Sequence, residues 1–123
     1  STGYVGAPRG RHNCIDLGVC IRESMQVPRG ERYGLCRSVH AEANAIIHAS
    51  RNDMIGATMY LVGKDAKTGE YVKDANSCAM CKRMIINAGI KRVIIRNSRD
   101  TFTAIYVDDW IANDESLHGE MGY

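Results

Sequence analysis

The sequence predicts an α/β protein whose sheet has a parallel part. Two short apolar runs of strand composition, at 57–62 and 93–95, flank a segment with helical periodicity at 78–88. A strand, a helix and a second strand in this order make a βαβ unit, in which the two strands run parallel. An amphipathic segment at 39–50 adds a helix ahead of that unit.

The first third of the chain is predicted to be mostly irregular. Residues 1–6 have the pattern of a strand end, and 6–38 contain both prolines and three cysteines without a sustained hydrophobic period. A loop of this length in a compact domain usually has a function or an additional constraint. The apolar positions that follow recur at helical spacing, which predicts a helix over 39–50 with Ser38 as its N-cap.

The second half is predicted to alternate strands and helices. Polar residues 64–77 predict a surface excursion that can form a hairpin. Ser77 can cap the helix that follows, and Gly89 can end it in the left-handed conformation. We expect another strand at 103–107, then a short helix from Asp108 and a poorly ordered end.

The length of 123 residues predicts one globular domain, or part of one, over residues 1–123. A net charge of +2 from 16 basic and 14 acidic residues is too small to indicate a nucleic-acid surface. No apolar run approaches the ~20 residues of a membrane span, and no secretory leader is visible. Five cysteines, two of them in C-x-x-C, favour metal binding and thiols over a disulfide framework, so we expect a reducing, cytoplasmic setting.

The most informative residues are His40, Glu42, Cys78 and Cys81, in the pattern H-A-E followed by C-A-M-C. One histidine and two cysteines can hold a tetrahedral zinc and leave the fourth position open for water, as catalytic zinc sites do. Zinc lowers the pKa of that water toward ~7. A nucleobase deaminase signature has nearly this form.

Placement supports the same chemistry. His40 and Glu42 fall in the first turn of one predicted helix, and both cysteines fall in the first turn of another. The N-termini of the two helices are expected to point at one metal ion. Their partial positive charge favours the thiolate form of the cysteines. Glu42 could then take a proton from water and pass it to a ring nitrogen and a leaving amine, which is hydrolytic deamination.

At these residues the chain resembles the cytidine/deoxycytidylate deaminase superfamily, and its deoxycytidylate (dCMP) branch most. The matching stretches are G-Y-V-G-A-P at 3–8, H-A-E-A-N-A-I at 40–46, C-A-M-C at 78–81 and I-I-N-A-G-I at 85–90. The resemblance implies a three-layer α/β/α fold with a mixed sheet, here without the family's N-terminal helix and first strand. It also implies zinc on His40, Cys78 and Cys81, with Glu42 as proton shuttle.

The resemblance further implies conversion of dCMP to dUMP with release of ammonia, in a homo-oligomer (hexamer or dimer) that dCTP and dTTP regulate. The loop with Tyr4 and Val5 is expected to contact substrate or effector. Val5 stands where family members usually carry Asn, and Ser77 stands where they usually carry Pro before the first cysteine.

The irregular segment 9–38 contains a second group of metal-binding residue types: His12, Cys14, Cys20 and Cys36. Three thiols and an imidazole could close a structural zinc site, which would stabilise a loop with little core. Some members of the resembled branch carry such a zinc. Buried thiols and a disulfide are the alternatives.

A substrate phosphate needs cations nearby, and Arg9, Arg11, Arg37 and Arg51 are the candidates. Arg51 is predicted to end the 39–50 helix, near phosphate or at a subunit interface.

Two rival functions remain. A tRNA adenosine deaminase would need a basic groove and stacking aromatics, which this near-neutral chain with one Phe and one Trp lacks. A non-catalytic zinc-binding assembly module would have no need of Glu42.

Overall fold

The structure is a computed structural model that describes residues 1–13, 17–18, 20–26 and 38–113. The chain divides into two compact units, residues 1–48 and 49–123, which are described separately. Within the described residues, no helix has both the length and the apolar character that crossing a membrane requires. The prediction of a single domain over the whole chain stays a prediction.

The first unit includes the helices α1 (Ile21–Ser24) and α2 (Ala41–His48). The helix predicted over 39–50 is confirmed, but it begins later than expected. Val39 pairs with Gly6 through two backbone hydrogen bonds of 2.7 and 3.2 Å, which keep Val39 extended. Ser38 therefore lies ahead of the first turn, and its prediction as N-cap was wrong. The strand end predicted at 1–6 is reduced to this one bridge.

The second unit opens with α3 (Arg51–Met54), a single turn separated from α2. Ser50 is its N-cap, and the side chain of Ser50 accepts a hydrogen bond from the backbone N–H of Asp53. This local cap starts a new helix, so Arg51 begins α3 instead of ending the preceding helix as predicted.

A three-stranded sheet forms the centre of the second unit, in the order β1 (Thr58–Val62), β2 (Arg92–Arg96), β3 (Phe102–Tyr106). β1 and β2 are parallel, whereas β2 and β3 are antiparallel. The three predicted strands and the mixed sheet are therefore confirmed. The resemblance-based α/β fold is consistent with this sheet and its helices.

Helix α4 (Ala79–Ala88) connects the two parallel strands, as the predicted βαβ unit requires. Gly89 ends it with φ 82° and ψ 14°, which confirms the left-handed C-cap. Cys78, not Ser77, is the N-cap residue, and no side chain caps the helix there. The prediction that Ser77 caps this helix was therefore wrong.

The core of the second unit lies between α4 and one face of the sheet. Ile85 and Val93 are completely buried, and burying an aliphatic side chain of this size contributes about 1.5–3 kcal/mol. The other buried apolar residues of the unit are Cys78, Cys81, Ala88, Ile90, Ile95 and Val107. Tyr60 and Phe102 are exposed at 77% and 67%, because alternate residues of a strand point to opposite faces.

The excursion 64–77 and the last described helix of the second unit agree with the sequence predictions. The excursion 64–77 contains an antiparallel bridge between Lys64 and Tyr71, as a hairpin would. In its turn, backbone N–H groups of Thr68 and Lys67 donate to Asp65 and hold the pKa of that carboxyl below its ordinary value. Helix α5 (Val107–Ala112) follows β3 directly, and the predicted poorly ordered end lies outside the described residues.

Candidate metal centre

His40 and Glu42 lie at the start of α2. The carbonyl oxygen of His40 accepts a hydrogen bond from the backbone N–H of Asn44 at 3.0 Å, which closes the first helical turn. Glu42 is the second residue of the helix and only 9% exposed. The positive end of the helix dipole favours a negative charge at this position. The sequence therefore places an imidazole and a mostly buried carboxyl together at one helix end.

The N-terminal segment is fastened along α2. Asn44 Nδ2 donates to the carbonyl oxygen of Tyr4 at 2.8 Å, and Ser1 Oγ donates to the carbonyl oxygen of Ala45 at 2.7 Å. Gly3 passes so close to the helix that a Cβ there would overlap the backbone of Ala41 and Ala45. In the sequence, Gly3 and Asn44 are recognisable only as parts of the G-Y-V-G-A-P and H-A-E-A-N-A-I motifs. The structure gives both of them a positioning role.

This fastening presents the predicted substrate loop to solvent. The side chains of Tyr4 and Val5 are 83% and 61% exposed. Asn44 holds the backbone carbonyl of Tyr4, whereas the ring and hydroxyl of Tyr4 lie at the surface, where a ligand can reach them. Contact of these two residues with substrate or effector stays a prediction.

Cys78 and Cys81 lie at the start of α4. Cys78 is the N-cap residue, with extended backbone angles of φ −70° and ψ 168°, and Cys81 follows within the first turn. Residues three apart on a helix face the same side, which is why C-x-x-C brings two sulfurs together. The cysteines are 9% and 0% exposed, so water contributes little to their surroundings.

His40, Cys78 and Cys81 form a potential zinc site, since one ring nitrogen and the two Sγ atoms all lie within 4.8 Å of one another. Tetrahedral zinc with Zn–S bonds of about 2.3 Å and a Zn–N bond of about 2.0 Å separates its donors by about 3.6–3.8 Å. The donor types therefore fit zinc. Three protein ligands leave a fourth position open, as in catalytic zinc sites.

The predicted second zinc site is only partly described. His12 is exposed and Cys20 is half-buried, whereas Cys14 and Cys36 lie outside the described residues. Cys20, Cys78 and Cys81 are all thiols outside any disulfide. This favours the metal-or-thiol alternatives for Cys20, and the second zinc stays a prediction.

The candidate phosphate-binding arginines are not gathered into one cluster by any contact among the described residues. Arg9 and Arg11 are exposed in the N-terminal segment, and Arg37 lies outside the described residues. Arg51 is exposed, and its Nη1 donates to the carbonyl oxygen of Asn87 at 3.4 Å, near the C-terminus of α4. That contact gives Arg51 a local structural role, and its role toward phosphate stays a prediction.

Comparison with known proteins decides the family. The family described as the cytidine and deoxycytidylate deaminase zinc-binding region matches residues 1–97. The chain belongs to the cytidine and deoxycytidylate deaminase family. The matched region contains His40, Glu42, Cys78 and Cys81 together, so the potential zinc site lies inside this family's zinc-binding region.

Curated relatives of this deaminase family carry the name deoxycytidylate deaminase. The chain is 37% identical to that of Mycobacterium phage D29 over 98 residues, which are 76% of this chain and 65% of the relative. It is 33% identical to that of Schizosaccharomyces pombe over 106 residues, 85% of this chain and 29% of the relative. The protein of that name from Saccharomyces cerevisiae is 34% identical over 100 residues, 80% of this chain and 27% of the relative.

The chain thus spans about two thirds of the length of the phage relative and less than a third of the length of either yeast relative. No solved structure gave a significant match. Family membership therefore rests on the family match, which covers most of the chain.

Proposed function

We propose that this chain carries the catalytic centre of a zinc-dependent dCMP deaminase, which hydrolyses dCMP to dUMP and ammonia. The observation that carries the proposal is the donor set of His40, Cys78 and Cys81, within 4.8 Å of one another inside the matched zinc-binding region. All three relatives are named deoxycytidylate deaminase, which supports dCMP as the substrate.

The proposed chemistry divides between the metal ion and the chain. His40, Cys78 and Cys81 would hold the zinc, which would supply the Lewis-acid chemistry that activates water near neutral pH. The low exposure of Cys78 and Cys81 keeps bulk water away from the sulfurs. Glu42, two residues from His40 at the same helix start, is the proposed catalytic residue that moves protons.

In this proposal Glu42 handles the protons in sequence. It accepts one proton from the attacking water and delivers it to the ring nitrogen of the pyrimidine. It then accepts the second proton, from the hydroxyl of the resulting tetrahedral adduct, and delivers it to the departing amino group as the carbonyl of dUMP forms. One water is consumed and one ammonia leaves, so atoms and charge balance. The mostly buried position of Glu42 suits this role, because a carboxyl shielded from solvent does not exchange its proton freely with bulk water.

Several finer features belong to the same proposal. Tyr4 and Val5 are proposed to contact the substrate or a dCTP or dTTP effector, and their exposure beside α2 supports this.

A homo-oligomer, hexamer or dimer, is proposed. Exposed aromatic residues such as Tyr60 and Phe102 support it, because large apolar surfaces often mark protein contacts. The thiol state of the described cysteines supports a cytoplasmic location.

Substrate identity is tested by incubating the zinc-loaded protein with dCMP, deoxycytidine and cytosine in separate reactions and measuring ammonia. The proposal expects ammonia from dCMP and at least tenfold less from the two compounds without phosphate, because phosphate binding contributes through charge-assisted hydrogen bonds. Equal turnover of dCMP and deoxycytidine would contradict recognition of the phosphate. Turnover of none of them by zinc-loaded protein would contradict the proposed activity.

A further inference from the structure

Ser77 presents the one buried side-chain polar atom that has no hydrogen-bond partner within the described part of the chain. The residue is 1% exposed. Its backbone N–H donates to Asn76 Oδ1 at 2.8 Å, but the hydroxyl Oγ makes no hydrogen bond within the described residues. Buried hydroxyls are nearly always paired, so an unpaired one points to a partner such as a water, an ion or a ligand.

Helix capping does not explain this hydroxyl. A serine at the start of a helix usually accepts a hydrogen bond from a backbone N–H of the first turn. Here the N-cap residue is Cys78, and no side chain makes a cap hydrogen bond at the start of α4. Ser77 therefore has a buried hydroxyl whose usual structural use is not realised.

The neighbours of Ser77 along the chain supply a suitable partner. Ser77 directly precedes Cys78 and lies four residues before Cys81, and all three residues are 9% exposed or less. Cysteines bind zinc as thiolates, which are charged and accept hydrogen bonds far better than protonated thiols do. A serine hydroxyl can rotate about its Cβ–Oγ bond and donate to such a sulfur.

We propose that Ser77 is a positioning residue of the metal centre, whose hydroxyl donates a hydrogen bond to a thiolate of the Cys78–Cys81 pair when the pair binds zinc. This inference rests on the proposed zinc site. Hydrogen-bonding groups around metal ligands commonly fix ligand orientation and raise metal affinity. The acceptor of this hydrogen bond is the thiolate that binds zinc. The hydroxyl therefore stabilises the metal-bound protein more than the metal-free protein.

This dependence on metal predicts opposite effects of one substitution. In the metal-free protein, Ser77→Ala removes a buried polar group without a partner, so the melting temperature should stay the same or rise. In the metal-bound protein, the same substitution removes a donor to the thiolate, and the zinc dissociation constant should rise about tenfold. An ordinary structural hydroxyl would instead lower the melting temperature of both forms.

The experiment compares the wild-type protein with Ser77→Ala, with Ser77→Thr, which keeps the hydroxyl, and with the control Ser98→Ala. Ser98 is a serine whose hydroxyl pairs with Thr101 in the loop before β3. Zinc affinity is measured by competition with a chromogenic chelator, and Co²⁺ replaces zinc for absorption spectra. Ser77→Ala should shift the sulfur-to-cobalt charge-transfer band to lower energy, whereas Ser77→Thr and Ser98→Ala should keep the wild-type band and affinity.

Each contrary outcome has a distinct meaning. Wild-type zinc affinity and an unchanged cobalt spectrum in Ser77→Ala would overturn the inference alone, because the hydroxyl would then meet only water. A lowered melting temperature of metal-free Ser77→Ala would also overturn it, since the hydroxyl would have a structural partner. If the wild-type protein bound neither metal, the proposed function would fail, and this inference with it.

Discussion

Glu42 is the residue whose replacement should separate metal binding from turnover. Glu42→Gln keeps the size and most of the polarity of the side chain, but an amide cannot carry the proton. We expect kcat for dCMP to fall by about 10²–10⁴-fold with zinc content unchanged, because general acid–base catalysis has this magnitude. Steady-state kinetics and metal analysis on the same preparation check this. Glu70→Gln, at an exposed glutamate, is the matched control and should behave as wild type.

Two cysteines test how many zinc ions the chain binds. Cys81 is completely buried in the potential zinc site, whereas Cys20 belongs to the predicted second site. We expect two zincs per wild-type chain by metal analysis. Cys81→Ser should remove one zinc together with the activity, and Cys20→Ser should remove the other. A wild-type chain that is fully loaded with a single zinc would show that the second site does not exist.

For individual residues, type and spacing were enough to predict the potential metal-binding group. C-x-x-C at a helix start and H-x-E at another have few uses besides a metal site, and the structure brings His40, Cys78 and Cys81 within reach of one ion. The roles of Gly3 and Ser77 could not be predicted, because each depends on what surrounds the residue. A glycine required by close backbone approach looks in sequence like any other loop glycine.

The C-terminus of α4 is the element whose geometry depends most clearly on glycine. Gly89 has φ 82°, and a Cβ there would lie 3.1 Å from Cγ1 of Ile55. Gly56 has a similar φ of 78° with open space around it. We expect Gly89→Ala to lower the free energy of unfolding by about 1–3 kcal/mol through backbone strain and crowding. Gly56→Ala should lower the free energy of unfolding by less, because it introduces backbone strain without crowding a neighbouring side chain.

Chemical denaturation of both variants measures the difference. If Gly56→Ala were as destabilising as Gly89→Ala, the contact with Ile55 would contribute nothing, and the packing of α4 against that residue would need revision. The comparison is informative because the two glycines have similar positive φ angles and differ in what a Cβ would meet.

The types of the elements could be predicted more reliably than their ends. The βαβ unit followed from apolar runs and helical spacing, and the parallel pairing of β1 with β2 confirms it. The start of α2 was predicted too early, because Val39 is held extended by Gly6, which lies 33 residues earlier in the chain. A pairing across that distance leaves no local signal around Ser38. The helix predicted over 39–50 ends at His48, and Ser50 caps a new helix that begins at Arg51. The helical periodicity gave no sign of this interruption.

For the whole molecule, the family explains more than the composition does. Net charge and hydropathy excluded a strongly basic surface but did not point to an activity. The zinc motif and its context predicted the deaminase family, and the match over residues 1–97 confirms it. Substrate and assembly depend on parts of a fold that extend past any single motif, and the chain covers only 65% of the phage relative. They therefore remain proposals.

We propose that zinc at His40, Cys78 and Cys81 makes this chain a dCMP deaminase. The most direct measurement is ammonia release from dCMP by one preparation in three states: as purified, after zinc removal with a chelator, and after zinc is returned. We predict turnover in the first state, its loss in the second and its recovery in the third. Undiminished turnover by protein shown to be free of metal, or no turnover by fully zinc-loaded protein, would show that this site is not a zinc-dependent dCMP deaminase.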